Sequence, residues 1–284
     1  MTVFIDADSI VFTLAMTQNT RHDLRRVWKR RIQDIMNACW EDEALVCIKG
    51  TSKNFRHQLL SSYKANRGPL PPNILEKITY LYEHAAEEGA IRATDNWEAD
   101  DQVADWVLEA YHSDMDYTIA HIDKDLDMLP GKHYNYKKDE HYELSVSDCY
   151  RDFFAQLFIG DTADNLPGVK GIGKVKANRL LDQHSAQSWY HLIRDHWNSD
   201  IPLDVAARCY FMGDPEKFTW DLRKLYGKEE TKADLEVVHE LQSDKSTVLC
   251  WDDLESWEGT DQVLRVEQDS PGMDGSSEDD SEGI

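Results

Sequence analysis

Three short apolar runs mark the first half of the chain. Residues 2–5 (Thr-Val-Phe-Ile) end at Asp6, residues 44–48 (Ala-Leu-Val-Cys-Ile) end at Lys49, and residues 117–122 (Tyr-Thr-Ile-Ala-His-Ile) end at Asp123. Each has the length and β-branched content of a buried strand. Between them the period changes. Val27, Ile32, Ile35, Met36 and Cys39 recur at helical spacing across residues 21–40, and similar patterns predict helices over 73–88 and 98–112. Residues 49–70 are polar, basic and loop-like, closing on Gly68-Pro69 and Pro71-Pro72. Strands alternating with helices predict an α/β fold with a mostly parallel sheet flanked by helices. Such sheets gather ligands at the carboxyl ends of their strands, where Asp6 and Asp123 fall. From 147 to about 227 the pattern is wholly helical. The expected division is an α/β domain at 1–146, a helical module at 147–232, a C-terminal extension at 233–266 and a disordered tail at 267–284.

Composition refines this picture. At 284 residues, with 41% hydrophobic content and nine tryptophans, the chain can build a sizeable core. Its five cysteines are odd in number and contain no Cys-x-x-Cys pair. That argues against a disulfide framework and against structural zinc, and for reduced thiols in a cytoplasmic setting. An acid at position 6 argues against a signal peptide, and no apolar run reaches transmembrane length. The net charge of −23 disfavours nucleic acid as a partner until its distribution is considered. Residues 233–284 hold 16 acidic and 2 basic residues, which accounts for −14 of it. The tail at 267–284 has seven acids, no bases and repeated Gly and Ser, a composition of disorder.

The acids of the first 232 residues carry the chemistry. Asp161 and Asp164 lie three apart in Gly160-Asp161-Thr162-Ala163-Asp164-Asn165-Leu166-Pro167-Gly168-Val169-Lys170-Gly171-Ile172-Gly173-Lys174, a spacing at which two carboxylates can share one hard cation. Gly168, Gly171 and Gly173 then allow close backbone approach to a ligand, and the amides opening the next helix favour an anion, with Lys174 and Lys176 adding charge. Glu98, Asp100 and Asp101 open a helix, where acids also complement the dipole. Asp123 and Asp125 follow a strand. Asp6 ends an apolar strand, which is costly for an acid unless it is paired or metal-bound. Eight such carboxylates match what two Mg²⁺ ions about 3.5–4 Å apart would need to activate water and stabilise a leaving oxygen.

Glu98-Ala99-Asp100-Asp101, Asp123-Lys124-Asp125-Leu126 and Gly160-Asp161 through Gly173, in this order, resemble the signature of the 5′-nuclease (flap endonuclease) family, and Phe55-Arg56-His57 and Tyr63-Lys64-Ala65-Asn66-Arg67 resemble its basic segment. Chain length and residues 129–136 are similar to the stand-alone bacteriophage 5′-3′ exonucleases, a resemblance that implies a host-cell cytoplasm for a phage-encoded chain. The resemblance implies a PIN-like fold, a helix-hairpin-helix motif at 168–173 and a two-metal site using Mg²⁺, with Mn²⁺ as a substitute and K⁺ at the hairpin. Asp6, Glu98 and Asp100 would hold one ion and Asp123, Asp125, Asp161 and Asp164 the other, with Asp101 near both. Lys64 and Arg67 would engage the scissile phosphate, Tyr63 would stack on a base, and Gly168, Gly171, Gly173, Lys174 and Lys176 would grip duplex DNA. The implied substrates are duplex DNA with 5′ ends, nicks or flaps, and RNA–DNA hybrids, in primer removal during DNA replication or in recombination. The acidic tail is a candidate dock for a replication protein.

One departure is Lys49, which stands where the family has an aspartate after the second strand. Asp8 lies outside the family's ligand set. Two rival readings stay open at this stage. Asp6-Ala7-Asp8-Ser9 imitates the start of a haloacid-dehalogenase-type phosphatase, with Asp6 as nucleophile. Lys49 alternatively marks a catalytically dead module that binds branched DNA.

Overall fold

The computed structural model describes residues 2–227, so the expected extension at 233–266 and acidic tail at 267–284 lie outside the described residues. One six-stranded sheet organises the chain. Its strands are β1 (Thr2–Asp6), β2 (Ala44–Ile48), β3 (Ile91–Arg92), β4 (Tyr117–His121), β5 (Gly131–Asn135) and β6 (Glu140–Leu144), in the order β3-β2-β1-β4-β5-β6. Every pairing is parallel except the β5–β6 hairpin at one edge. The expected α/β class with a mostly parallel sheet is therefore present. β1 sits centrally between β2 and β4 because its apolar side chains are buried on both faces. None of β6's residues (Glu-His-Tyr-Glu-Leu) is fully buried, which suits a solvated edge.

Helices cover both faces. On one lie α1 (Asp8–Thr17), α2 (Arg21–Ala38) and α4 (Pro72–Glu87), which bury Val11, Leu24, Trp28, Ile35 and Leu81 against Ile5 and Ile48. Thr20 caps α2, its hydroxyl accepting the Asp23 amide at 3.1 Å. The basic stripe Arg25, Arg26, Lys29, Arg30 and Arg31 faces solvent, with Lys29 paired to Glu88 at 2.8 Å.

The one-turn α3 (Arg56–Leu59) belongs to the connection after β2. The opposite face carries α5 (Ala99–His112) and α6 (Val146–Ile159), whose Val103, Phe153, Phe154 and Phe158 share a cluster with Phe4 and Ile119. The later helices α7 (Lys174–Asp182), α8 (Trp189–His196), α9 (Leu203–Tyr210) and α10 (Arg223–Tyr226) add Leu181, Ile193, Tyr210 and Tyr226 to that same cluster. The helical segment after residue 146 thus shares its core with the sheet.

Candidate metal centre

The central strands end in acids on the same side of the sheet. β1 ends at Asp6, and the polypeptide leaving β4 turns at Asp123 into a 3₁₀ turn over Lys124–Met128. Asp123 caps that turn by accepting the Asp125 amide at 3.0 Å, so both carboxylates are held beside one edge. Glu98 and Asp100 arrive at the N-terminus of α5. Asp161 and Asp164 come from a tight loop closed by paired backbone hydrogen bonds between Asp161 and Leu166, at 3.0 and 2.7 Å. Inside it, Asp161 Oδ1 accepts the amides of Ala163 and Asp164. One cleft of about 680 Å³ is lined by Asp6, Glu98, Asp100, Asp123, Asp125, Asp161 and Asp164. Seven of the eight predicted ligands therefore converge.

Asp101 is the eighth, and its expected place near both ions is corrected. It is fully buried and forms a two-pronged ion pair with Arg56, both bonds at 2.7 Å, while also accepting the amides of Glu98 and Gly213 at 3.0 Å. Its four acceptor directions are filled by the protein. Tyr63 is a second correction. Only 2% of it is exposed, and its hydroxyl donates to Glu98 at 2.8 Å and Asp164 at 3.0 Å, so its ring is not available to stack on a base. Gly168 is a third. A Cβ there would lie 2.3 Å from the Gly160 nitrogen and 2.5 Å from the Ile159 carbonyl carbon, so the missing side chain admits the protein's own backbone rather than a ligand. Gly171, at φ +81°, and Gly173, which caps α7, have open space around them. Lys174 and Lys176 are exposed on the first turn of α7.

Cations border the acids. Lys64 occupies the left-handed backbone region at φ 54°, uncommon for a residue with a side chain, and its ammonium lies 2.5 Å from Glu98 and 3.5 Å from Asp164. Arg67 pairs with Asp164. The loop carrying both is laced to the Asp161–Asp164 loop by Lys64 N–H to the Asp164 carbonyl at 2.8 Å and Asn165 to the Ser62 carbonyl at 2.7 Å. Lys124 was not singled out in the sequence. Its ammonium stands 2.7 Å from Asp161 and 3.4 Å from Asp125. Asp8 also joins the cleft, with Oδ1 accepting the Lys49 amide at 2.8 Å. Its two-residue spacing from Asp6 was the available signal.

Charge explains what this assembly demands. Burial, then the Asp8 carboxylate, pushes Asp6 up to about 8, and burial pushes Asp8 up to about 6. Asp100 rises well above the carboxylate range because it is buried beside Asp101 and Glu98. Glu98 behaves oppositely. Burial alone would raise it, but the Lys64 ammonium and Arg56 guanidinium hold it down to about 2. An all-oxygen donor set of buried, mutually repelling carboxyls fits a hard divalent cation, and Lys124 already places a cation between Asp125 and Asp161.

A pH dependence follows. Unfolded Asp titrates near 3.8–3.9, so above about pH 4 the folded protein keeps protons that the unfolded chain has released, on Asp8 up to about pH 6 and on Asp6 up to about pH 8. Stability from these groups is fully present below that window and is lost as pH rises through it. In EDTA, the melting temperature should fall between pH 5 and 8.5, and Mg²⁺ should restore it at pH 8.5. Asp6→Asn should flatten the loss. A loss of the same size in Asp6→Asn and wild type would assign it elsewhere.

The chain has recognisable relatives. Residues 4–155 match the family described as 5′-3′ exonuclease, N-terminal resolvase-like domain. The thermostable DNA polymerase I of Thermus aquaticus is 28% identical over 195 residues, covering 65% of this chain but 23% of the polymerase. The chain thus spans about a quarter of that relative's length. Flap endonuclease Xni of Pseudoalteromonas translucida is 31% identical over 177 residues, covering 57% of this chain and 65% of Xni. Among solved structures, zinc-bound 5′-exonuclease of bacteriophage T5 has the same fold, with a TM-score of 0.60 at 17% identity over 84% of this chain and 99% of that one. With the family match spanning more than half its residues and the acid-lined cleft built largely within them, the chain belongs to the family of 5′-3′ exonucleases with the N-terminal resolvase-like domain.

Proposed function

We propose that the chain is a divalent-metal-dependent nuclease that hydrolyses DNA from 5′ ends, nicks or flaps. The convergence of seven predicted carboxylate ligands on one cleft, with Lys64 and Arg67 at its border, carries this reading. Asp6, Glu98 and Asp100 would hold one Mg²⁺ ion and Asp123, Asp125, Asp161 and Asp164 the other, with Asp8 in reach of the first. Bound there, the ions would supply an activated water and stabilise the departing 3′ oxygen.

The protein's own groups do the rest. Lys64 and Arg67 present two cations beside the acids, placed to meet the scissile phosphate. The loop lacing that holds them fixes their distance from Glu98 and Asp164 before substrate arrives, so little reorganisation is required. Residues 168–173, within the connection from α6 to α7, would act as the turn of a helix-hairpin-helix that meets backbone phosphates through the amides at Gly173 and the Lys174 and Lys176 side chains. A K⁺ ion at that hairpin and RNA–DNA hybrids as substrates belong to the same reading. A phosphatase using Asp6 as nucleophile would leave Glu98, Asp100, Asp123 and Asp125 in its cleft without a task.

Cleavage of a 5′-labelled nicked or flapped duplex tests the activity. Short 5′ products are expected with Mg²⁺ and none with EDTA; binding without cleavage in Mg²⁺ would instead favour the dead-centre module. Lys174→Ala/Lys176→Ala tests the hairpin. Two lost phosphate contacts should weaken binding uniformly across sequences and flatten the log affinity–log salt slope by about 2. An unchanged slope would place the duplex elsewhere.

A further inference from the structure

We propose that His121, His133 and Asp127 form a second metal site, separate from the acid-lined cleft, that takes a single zinc-like divalent cation. His121 ends β4, His133 lies within β5, and Asp127 belongs to the 3₁₀ turn between these strands. One ligand atom from each lies within 4.8 Å of the others.

The hydrogen bonds decide which nitrogens are free. His121 Nδ1 sits 2.6 Å from the Asp123 carbonyl oxygen, and His133 Nε2 sits 2.9 Å from that of Leu129. A carbonyl only accepts, so each of those ring nitrogens must carry the hydrogen. The two remaining nitrogens, His121 Nε2 and His133 Nδ1, are then bare lone pairs, and they face each other at 2.9 Å. Two acceptors at that distance repel unless something positive lies between them.

The Tyr142 hydroxyl does not supply it. Its hydrogen goes to Asp127 Oδ1 at 2.5 Å, while His121 Nε2 is 3.3 Å away. A proton shared by the imidazoles would create a cation on rings that are 1% and 0% exposed, with Asp127 Oδ1 3.8 Å from His121 as its counter-charge. Burying charge with so loose a partner is costly.

A zinc-like ion answers each requirement. Two neutral imidazoles and a carboxylate are ligands that zinc accepts, at about 2.0–2.2 Å in tetrahedral geometry. Metal-bound histidines regularly donate their second ring hydrogen to a backbone carbonyl, which both rings already do. The partly exposed Asp127 leaves a way in, and the Tyr142 hydroxyl lies within reach of both Asp127 and His121. Cysteine spacing gave no hint of this site because no cysteine takes part. Its consequence is mechanical. The ion would tie the end of β4 to β5 across the turn that carries Asp123 and Asp125, and so fix the backbone of two acids of the cleft.

Co²⁺ is the probe. The full chain, stripped with chelator and desalted, is titrated with Co²⁺ while visible absorption is followed. One equivalent should give the intense bands of tetrahedral, nitrogen-ligated Co²⁺, which six-coordinate carboxylate sites do not produce. The bands should persist in Asp123→Asn/Asp125→Asn. They should vanish in Asp127→Asn and in His133→Gln, with Co²⁺ affinity falling beyond the roughly 10–100-fold that losing an outer hydrogen-bond partner costs. Asp127 is partly exposed, so its variant should keep the native circular dichroism spectrum. Absence of the bands in wild type, or their survival in folded Asp127→Asn, would overturn the site and leave a shared proton between the histidines.

Discussion

Asp123→Asn/Asp125→Asn will fold, bind nicked duplex at least as tightly as wild type, and cleave it roughly a thousandfold more slowly or worse. The size comes from losing several kcal/mol of transition-state stabilisation that the second ion of the proposed site would supply, at about 1.4 kcal/mol per factor of ten. Folding should survive because Asn keeps the oxygen each turn uses. Oδ1 of residue 123 can still accept the amide of residue 125, and Oδ1 of residue 125 can still accept from Gln156, now at 2.9 Å. Lys124 retains Asp161 as its partner.

The same exchange removes two negative charges from a cleft already crowded by Asp6, Asp100 and Asp164. In EDTA the variant should therefore melt at or above the wild-type temperature, and its affinity for the polyanion should not fall. Lost activity beside gained ion-free stability is the pattern of a site held against its own repulsion. Cleavage within tenfold of wild type would show that Asp123 and Asp125 hold no catalytic ion. A melting temperature lowered in EDTA would give these acids a structural task instead.

The sequence was most legible where burial dominates. Residues 2–5, 44–48 and 117–122 read as strands because they are short, mostly apolar runs, and they form β1, β2 and β4 to within one residue. Helical spacing located α2, α4 and α5 within two residues at each end. The β5–β6 hairpin was not visible. Its residues, Gly-Lys-His-Tyr-Asn and Glu-His-Tyr-Glu-Leu, carry polar edge positions and histidines rather than an alternating apolar pattern. The two-residue β3 is too short to show any period.

The site divides along a similar line. Acids at strand ends and helix starts are legible because topology alone brings them together. What each acid meets is not. Asp101 differs from Asp100 by one helical position, which turns it from the cleft toward a guanidinium 45 residues earlier in the chain. Tyr63 sits in a basic stretch that reads as surface, yet its hydroxyl is needed between Glu98 and Asp164. The His121–His133 pair depends on strand register, which the eleven mixed polar and apolar residues between them do not disclose.

Arg56→Ala will be the most destabilising single change considered, costing about 3–5 kcal/mol. The guanidinium is 0% exposed and fully engaged. It pairs with both oxygens of Asp101 and donates to the carbonyls of Cys209 and Phe211, each at 2.8 Å. It thereby joins the start of α5 to the end of α9, and it lies 3.5 Å from Glu98. Truncation leaves Asp101 as a buried charge with only the Glu98 and Gly213 amides, and leaves two carbonyls without a donor. Arg56→Lys should recover only part of the loss, because one ammonium cannot reproduce the planar fork that serves a carboxylate and two carbonyls together. The denaturant midpoint should fall at constant slope. In a double-mutant cycle, Arg56→Ala with Asp101→Ala should cost clearly less than the sum of the two singles. The basic segment around residue 56 offers a contrasting outcome. Were Arg56 a phosphate contact, its removal would flatten the salt dependence of DNA binding and leave the denaturant midpoint in place. A buried ion pair predicts the reverse on both counts, so the two measurements together decide which task this arginine performs.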